Sequence, residues 1–207
     1  MDEAESVERK LIERMRSRIL LALLRIIEIH EHSIDTSRHA DRVASVSNLV
    51  GMDIGLPMRE RAVLWRCSLI HDLGKVGVLS DILGGNRKLT KHQRYIVQNH
   101  PKWGADILNI LDIYRYEAII VKQHHEDFDG NGYPDNLIGK NIHLYARIIH
   151  TVDVYDALTM FRGYKKQWRL NEAIKYIYKQ SGKMFDPDVV KIFMRIVETD
   201  EFRRIYT

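Results

Sequence analysis

Residues 124–134 read His124-His125-Glu126-Asp127-Phe128-Asp129-Gly130-Asn131-Gly132-Tyr133-Pro134 and join two adjacent histidines to an acidic, glycine-rich segment that ends at a proline. So many glycine, aspartate and asparagine residues before a proline predict a loop. The chain follows a helical pattern before this loop, over residues 114–125, and after it, over residues 142–160. Two potential metal ligands therefore lie where a predicted helix meets a loop.

Helical periodicity extends over most of the chain. Between residues 5 and 31, apolar residues recur every three or four positions, at Val7, Leu11, Met15, Ile19, Leu23, Ile26 and Ile27. Further helices are predicted over residues 35–50 with N-cap candidates at 35–37, and over 57–74, 90–101, 171–180 and 187–197. A loop with at most one short helical turn is predicted over residues 76–89. No segment alternates strictly between apolar and polar residues, so we predict an all-α bundle with a long N-terminal helix.

The length of 207 residues favours a single globular domain. We divide the chain into an N-terminal helical arm, residues 1–32, and one domain, residues 33–207. Three alternative roles stay open for the arm: packing on the core, mediating a homodimer, or connecting the domain to an upstream regulatory domain.

The composition is that of a cytoplasmic protein. The longest apolar run, around residues 19–29, is interrupted by Arg25 and Glu28 and is shorter than the ~20 residues that a membrane span needs. The acidic first turn is unlike a signal peptide, and the single cysteine, Cys67, fits a reducing compartment. The 32 basic and 28 acidic residues are interspersed, so the charge is weak evidence for an anionic ligand and we expect no DNA or RNA polymer as partner.

Two ionisable residues lie on predicted buried helix faces. His39 shares a stripe with Val43 and Val46, and Asp153 shares one with Ile149. Burial of such groups is unfavourable unless they are hydrogen-bonded, paired or bound to a metal. Each residue alone is explained by a hydrogen bond in the core, so a metal site is argued from the number of such residues.

Two adjacent pairs, His71-Asp72 and His124-His125, extend this set. Successive helical residues differ in direction by roughly 100°, so each pair can reach two neighbouring ions. The full candidate ligand set is His39, His71, Asp72, His100, His124, His125 and Asp153. Mixed imidazole and carboxylate ligands suit iron, manganese, zinc or cobalt better than magnesium or calcium. The set is too large for one ion, so we predict a hydrolytic centre with two or three divalent transition metals.

Other site classes fit the sequence poorly. Asp127, Asp129 and Asn131 match the start of an EF-hand calcium loop, but Ile138 stands where that loop needs a bidentate glutamate. The chain also lacks a Walker loop, a GxGxxG turn and an HExxH helix.

Six short segments occur in a characteristic order. They are His39-Ala-Asp-Arg42-Val43, His71-Asp72-Leu-Gly74-Lys75-Val-Gly77, His100-Pro101 with Gly104, His124-His125-Glu126 through Gly132-Tyr133-Pro134, Asp153-Val-Tyr-Asp156-Ala157-Leu158-Thr159 and Phe185-Asp186-Pro187. This series resembles the HD-GYP family of the HD superfamily of metal-dependent phosphohydrolases, a branch known for cyclic di-GMP phosphodiesterases. The resemblance covers about residue 30 to the end and implies an HD-type helical bundle.

The resemblance also implies roles for individual residues. The seven candidate ligands would bind two metals, iron or manganese, with Asp72 bridging them. Asp35, one turn before His39, takes the place of a glutamate that binds a third metal in some members, and its alternative role is a helix N-cap. Glu126 and Asp156 would orient ligand histidines without contacting the metal.

Tyr133, Arg162 and Lys165 match family positions that hold the phosphates and guanine of the ligand. Gly163 follows Arg162 where the family has proline. Lys75, together with the bridging Asp72, would take part in catalysis by adding positive charge beside the phosphate or the leaving oxygen.

The activity implied is hydrolysis of cyclic di-GMP to pGpG, and onward to GMP, by a metal-bridging hydroxide. A metal-bound water can have its pKa lowered to ~7, so such a nucleophile exists near neutral pH. One alternative is an HD phosphohydrolase of another nucleotide, against which the Gly-Tyr-Pro turn argues. A second is a catalytically silent module that binds cyclic di-GMP or a partner, against which the intact ligand set argues.

Overall fold

The computed structural model describes residues 3–31, 34–83, 88–160 and 167–206. Within these ranges the α-helices are α1 (Glu3–Glu31), α2 (Ile34–Ile54), α3 (Met58–Ile70), α4 (Ser80–Leu83), α5 (Lys91–Val97), α6 (His100–Ile110), α7 (Arg115–Gln123), α8 (Leu144–Thr159), α9 (Leu170–Lys179), α10 (Pro187–Ile196) and α11 (Asp200–Ile205). Two 3₁₀ turns span Leu73–Gly77 and Gly139–Asn141. The only β-contact among the described residues is an isolated bridge between Ser181 and Phe185. The predicted all-α class is confirmed.

The core consists of two apolar clusters. The first surrounds α8, where Ile149 and Val152 pack with Val43 and Val46 of α2 and with Phe193 of α10. The second joins α1, α3, α6 and α7, and its buried side chains are Leu23, Ile27, Ala44, Leu69, Ile70, Leu73, Ala105, Leu108, Tyr114, Ala118 and Val121. Because α2, α3 and α7 each contribute buried side chains to both clusters, the ends of these helices are held in fixed relative positions.

The N-terminal helix is present as predicted, and its second half joins the core. Leu23 and Ile27 are buried. Arg16 and Arg66 both pair with the buried carboxylate of Glu117, and the hydroxyl of Tyr114 donates to the main-chain oxygen of Arg16. No helix of the described residues combines the length and the apolar character that a membrane crossing requires. The proposed boundary between arm and domain stays a prediction.

Both predicted ends of α2 are wrong. The helix continues through Gly51 to Ile54, and it stops at Gly55, whose φ of 87° is the left-handed conformation common after a helix end. At the other end α2 begins at Ile34, so the proposed N-cap residues 35–37 lie within its first turn.

The helix predicted to end at Pro101 is two helices. Thr90 caps α5 as predicted, through a reciprocal pair of hydrogen bonds with Gln93. However, α5 ends at Val97, and Pro101 lies in the first turn of α6. The N–H groups of a first turn have no partner within the helix, so the lack of an N–H in proline costs no hydrogen bond there. His100 therefore begins a helix instead of ending one. The sequence prediction also missed α11, which Thr199 caps.

One glycine determines how close the site elements come. A Cβ atom on Gly74 would lie 1.9 Å from the carbonyl oxygen of His100. The 3₁₀ turn that follows Asp72 can therefore pack against the start of α6 only with glycine at this position.

Candidate metal centre

The predicted ligands lie together as two neighbouring groups. The His39 group comprises His39, His71 and Asp153, and the Asp72 group comprises Asp72, His100, His124 and His125. Within each group the potential ligand atoms all lie within 4.8 Å of one another. His39 lies in α2 and Asp153 in α8, while the other members lie at the ends or starts of α3, α6 and α7. All are buried except His125, which is partly exposed.

Asp72 lies between the two groups. Its Oδ2 atom is 3.4 Å from Nε2 of His71 and 4.0 Å from Nε2 of His39. Its Oδ1 atom is 3.2 Å from Nε2 of His100 and 3.9 Å from Nε2 of His124. One oxygen thus faces each group, which is the arrangement expected of a bridging carboxylate.

Backbone carbonyls hold three of the histidines. The Nδ1–H groups of His71, His100 and His124 lie 2.7, 2.7 and 2.6 Å from the carbonyl oxygens of Ser68, Val97 and Val121, each three residues earlier. These carbonyls belong to the last turns of α3, α5 and α7, where no following helical N–H is available to them. With Nδ1 donating to the carbonyl, Nε2 keeps its lone pair and points to the centre.

A carboxylate holds the fourth histidine. Nδ1 of His39 lies 2.6 Å from Oδ2 of the fully buried Asp156, and Arg42 binds both oxygens of Asp156 at 2.6 and 2.9 Å. Burial alone would lower the pKa of His39, but the carboxylates of Asp153 and Asp156 outweigh it and raise this pKa to about 9. Asp156 thus occupies the place predicted for a residue that orients a ligand histidine.

The donor set fits divalent metal ions. The Nε2 atoms of His39 and His71 are buried and make no well-aligned hydrogen bond among the described residues, although carboxylate oxygens of Asp153 and Asp72 lie 3.3 and 3.4 Å from them. The Nε2 atoms of His100 and His124 are only 3.2 Å apart although each ring already donates from Nδ1. Two lone pairs at that distance repel each other unless a cation lies between them. Histidine nitrogen and carboxylate oxygen together suit iron, manganese, zinc or cobalt.

The protonation states also suit a metal. Burial would raise the pKa of Asp72, but the charge of Lys75 and of the nearby histidines holds it well below its usual range. The pKa of Asp153 is likewise low, since the imidazole of His39, 3.3 Å away, and the charge of His71 overcome the effect of burial. Burial and neighbouring imidazoles lower the pKa of His124 and His125. Carboxylates are therefore ionised and these two rings neutral near pH 7, as metal binding requires.

Lys75 lies beside the centre. Its Nζ atom is 2.6 Å from Oδ2 of Asp72, and its side chain is 19% exposed. It can therefore contact both the centre and a ligand that approaches from solvent.

The Gly-Tyr-Pro loop covers the exposed member of the Asp72 group. The ring centroid of Tyr133 lies 4.9 Å from that of His125, and the amide of Tyr133 donates to the carbonyl of His125. A Cβ atom on Gly132 would lie 2.1 Å from the amide nitrogen of Asp127, so the loop can fold back here only with glycine. Burial and nearby carboxylates raise the pKa of Tyr133, which keeps its phenol neutral.

Glu126 has a different contact from the one predicted. Its two carboxylate oxygens accept hydrogen bonds from the amides of Asp135 and Leu137, at 2.6 and 2.9 Å. The expectation that it orients a ligand histidine is therefore wrong for the described contacts. Glu126 holds the second half of the Gly-Tyr-Pro loop instead.

Three predicted residues lie outside the description. Arg162 and Lys165 fall in residues 161–166, and the structure describes the backbone but not the side chain of Asp35. Their roles in substrate binding and in a third metal site stay predictions.

Two further contacts were missed by the sequence reasoning. The sequence assigns Arg42 no contact of its own, although its place three residues after His39 puts it on the same helix face. The pair of His150 and Asp127, 2.9 Å apart, had no such signal because Asp127 lies in a loop.

Comparisons with known proteins agree with this geometry. The model of the HD domain family matches residues 22–189. The cyclic di-GMP phosphodiesterase response regulator RpfG of Xanthomonas campestris pv. campestris is 34% identical over 197 residues, which cover 94% of this chain and 50% of that protein. The 3'3'-cGAMP-specific phosphodiesterase 2 of Vibrio cholerae is 32% identical over 176 residues, which cover 84% of this chain and 33% of that protein. This chain spans half or less of these relatives.

A solved structure has the same fold. Bd1817, an HDG"Y"P protein from Bdellovibrio bacteriovorus, matches with a TM-score of 0.66 at 20% identity, covering 79% of this chain and 53% of that chain. At this identity the likeness concerns the fold.

Proposed function

Because this chain belongs to the HD domain family and carries the signatures of its HD-GYP branch, we propose that it is a metal-dependent phosphodiesterase that hydrolyses cyclic di-GMP. The family predicted from the sequence is confirmed, and with it the HD-type helical bundle. The observation that carries the proposal is the position of Asp72, with one oxygen toward each of two groups of converging imidazoles.

The proposed ligands are the His39 group for one ion and the Asp72 group for another, with Asp72 shared between them. Bound divalent metals, for which we propose iron or manganese, would supply Lewis acidity toward the phosphate and an activated water near neutral pH. A third ion, at Asp35, remains part of the proposal.

The chain's own residues would position the substrate. Lys75, held by Asp72 at 2.6 Å, can place its ammonium group beside a phosphate oxygen or the leaving oxygen. Tyr133 has a neutral phenol and an aromatic ring at the rim of the centre, which suits contact with a phosphate or a base. Arg162 and Lys165 complete the proposed substrate-binding set.

We propose pGpG as the first product and GMP as the product of further hydrolysis. The relatives support a cyclic dinucleotide and differ in which one they are named for, since one is named for cyclic di-GMP and another for 3'3'-cGAMP. The second candidate substrate is therefore 3'3'-cGAMP.

The experiment is a product assay on metal-loaded protein. Incubation with cyclic di-GMP, 3'3'-cGAMP and linear pGpG, followed by chromatography, should show pGpG formed fastest from cyclic di-GMP. Faster turnover of 3'3'-cGAMP would make 3'3'-cGAMP the proposed substrate and leave the proposed reaction type unchanged. Tight binding of cyclic di-GMP with no product from any compound would favour the silent binding module instead.

We further propose that the arm mediates a homodimer. Val7, Leu11 and Met15 of α1 are 61%, 57% and 52% exposed. Charged substitution of these residues should turn a dimer into a monomer in sedimentation experiments. An upstream regulatory domain stays an alternative for the arm, and a cytoplasmic location stays a proposal that the single, unbridged Cys67 supports.

A further inference from the structure

The buried His150 and the partly exposed Asp127 form a pair next to the Asp72 group. Nε2 of His150 lies 2.9 Å from Oδ1 of Asp127, and His150 is only 4% exposed. His150 lies in α8, one turn before Asp153, and Asp127 follows His125 by two residues. The pair therefore connects the helix that carries one ligand to the loop that begins with another.

His125 differs from the other ligand histidines in how it is held. No described residue donates to or accepts from its ring, whereas His39, His71, His100 and His124 each use Nδ1 in a hydrogen bond. Its ring contacts other rings instead, with centroid distances of 4.1 Å to His124, 4.9 Å to Tyr133, 5.1 Å to His100 and 5.9 Å to His150. Its direction therefore depends on this ring packing and on where the following loop is fixed.

Main-chain hydrogen bonds fix the loop near His125, from the amide of Glu126 to the carbonyl of Gln123 and from the amide of Tyr133 to the carbonyl of His125. The amides of Phe128 and Asp129 donate to the carbonyls of Met184 and Lys183, which places the middle of the loop. Between these points and His125, the side chain of Asp127 makes the hydrogen bond to α8. The ring of His150 is in turn packed against Phe185, at a centroid distance of 5.3 Å.

We propose that His150 and Asp127 act as one positioning unit that sets the direction of His125, and thereby the affinity of the Asp72 group for its metal ion. The proposal rests on the metal centre of the proposed function. Residues that orient a ligand from outside typically change metal affinity by about 10- to 100-fold.

The test is a titration of metal-free protein with Mn²⁺, with free Mn²⁺ measured by electron paramagnetic resonance. His125→Ala and His39→Ala first identify which binding phase belongs to which group. His150→Phe, which keeps a ring but no donor, should weaken the Asp72-group phase about 10- to 100-fold and leave the other phase unchanged. His150→Gln, whose amide reaches as far as Nε2, should restore affinity to within about threefold of the unsubstituted protein.

Two controls separate positioning from general damage. Thr151→Val removes a hydroxyl that donates to the Arg147 carbonyl on the same helix, and it should change neither phase. Asp127→Ala should match His150→Phe, and the double variant should be no worse than either, because both remove one interaction. If His150→Phe does not fold, Asp127→Ala against His150→Gln gives the same comparison.

Equal weakening of both phases, or no change in His150→Phe, would overturn the proposal. So would multiplicative losses in the double variant. If the unsubstituted protein hydrolyses no cyclic dinucleotide but Mn²⁺ binding depends on His150 as described, the proposed function fails and the positioning unit stands. If the protein hydrolyses a cyclic dinucleotide but its Mn²⁺ affinity does not depend on His150, the proposed function stands and the positioning unit fails.

Discussion

The His39 group and the Asp72 group contain the same ligand types but hold them by different means. In the Asp72 group, His100 and His124 are held by main-chain carbonyls at helix ends. In the His39 group, His71 is held in the same way by the carbonyl of Ser68, but His39 is held by the side chain of Asp156, which Arg42 holds in turn. Carbonyl anchors cannot be removed by changing a side chain, whereas the anchor of His39 can.

The two groups also differ in the protonation state of their histidines before a metal binds. The carboxylates around His39 raise its pKa to about 9, so the metal-free protein keeps a proton there near pH 7. Burial and neighbouring rings lower the pKa of His124 and His125, which stay neutral. A metal ion must therefore displace a proton in the His39 group but not from these two rings of the Asp72 group.

The largest effect is expected at Asp72, which the proposed function assigns to both groups. Asp72→Ala should lose both Mn²⁺ phases and reduce phosphodiesterase activity by more than about 100-fold, since even outer partners of a metal site cost up to about 100-fold. His125→Ala should lose activity as well but keep the His39-group phase. Elemental analysis of the purified variants checks both. An Asp72→Ala protein with the metal content of the unsubstituted protein would contradict the bridge.

The second prediction is that the Mn²⁺ affinities of the two groups depend differently on pH. Below its pKa of about 9, His39 is protonated in the metal-free protein, so metal binding releases a proton. Mn²⁺ affinity of the His39 group should then rise about tenfold per pH unit up to about pH 9 and level off above it. Affinity of the Asp72 group should stay nearly constant from pH 7 to 9. Titrations at several pH values measure both slopes, and equal slopes would refute the distinction.

The third prediction concerns Asp156, the side chain that holds His39. Asp156→Asn keeps an acceptor for His39 but loses the charge that Arg42 binds, so His39 should be less firmly directed. Measured above pH 9, where no proton competes, Mn²⁺ affinity of the His39 group should fall about 10- to 100-fold. Below pH 9 the loss should be smaller, because the variant also lowers the pKa of His39. A fall in the Asp72 group as well would indicate general damage.

The sequence predicted the parts of this arrangement that depend on helical spacing. His39 and Asp153 stood out because they share apolar stripes with core residues, and Asp156 because it lies one turn after Asp153. The contact of Asp156 with His39 joins residues 117 positions apart, so no local pattern indicates it. Carbonyl anchors are equally invisible, since every residue has a carbonyl and only the position of a helix end exposes it.

Two errors have local causes. The sequence predicts a helix end at Pro101, but proline is also tolerated in the first turn of a helix, and Pro101 lies in the first turn of α6. Glu126 follows two histidines and was expected to contact one. The chain reversal at Gly132 instead brings two main-chain amides to its carboxylate.

The smallest effect is expected at the rim, where the ring of Tyr133 lies against His125, the partly exposed member of the Asp72 group. The role of Tyr133 in the proposed function is to contact substrate. An aromatic ring stacked on a base contributes about 1–3 kcal/mol, so Tyr133→Ala should raise KM for cyclic di-GMP about tenfold with both Mn²⁺ phases retained. Tyr133→Phe keeps the ring and should change KM by less than about threefold if stacking is its main contact. A Tyr133→Ala protein that loses the Asp72-group phase would instead show that the ring supports His125, which would make the rim part of the metal centre.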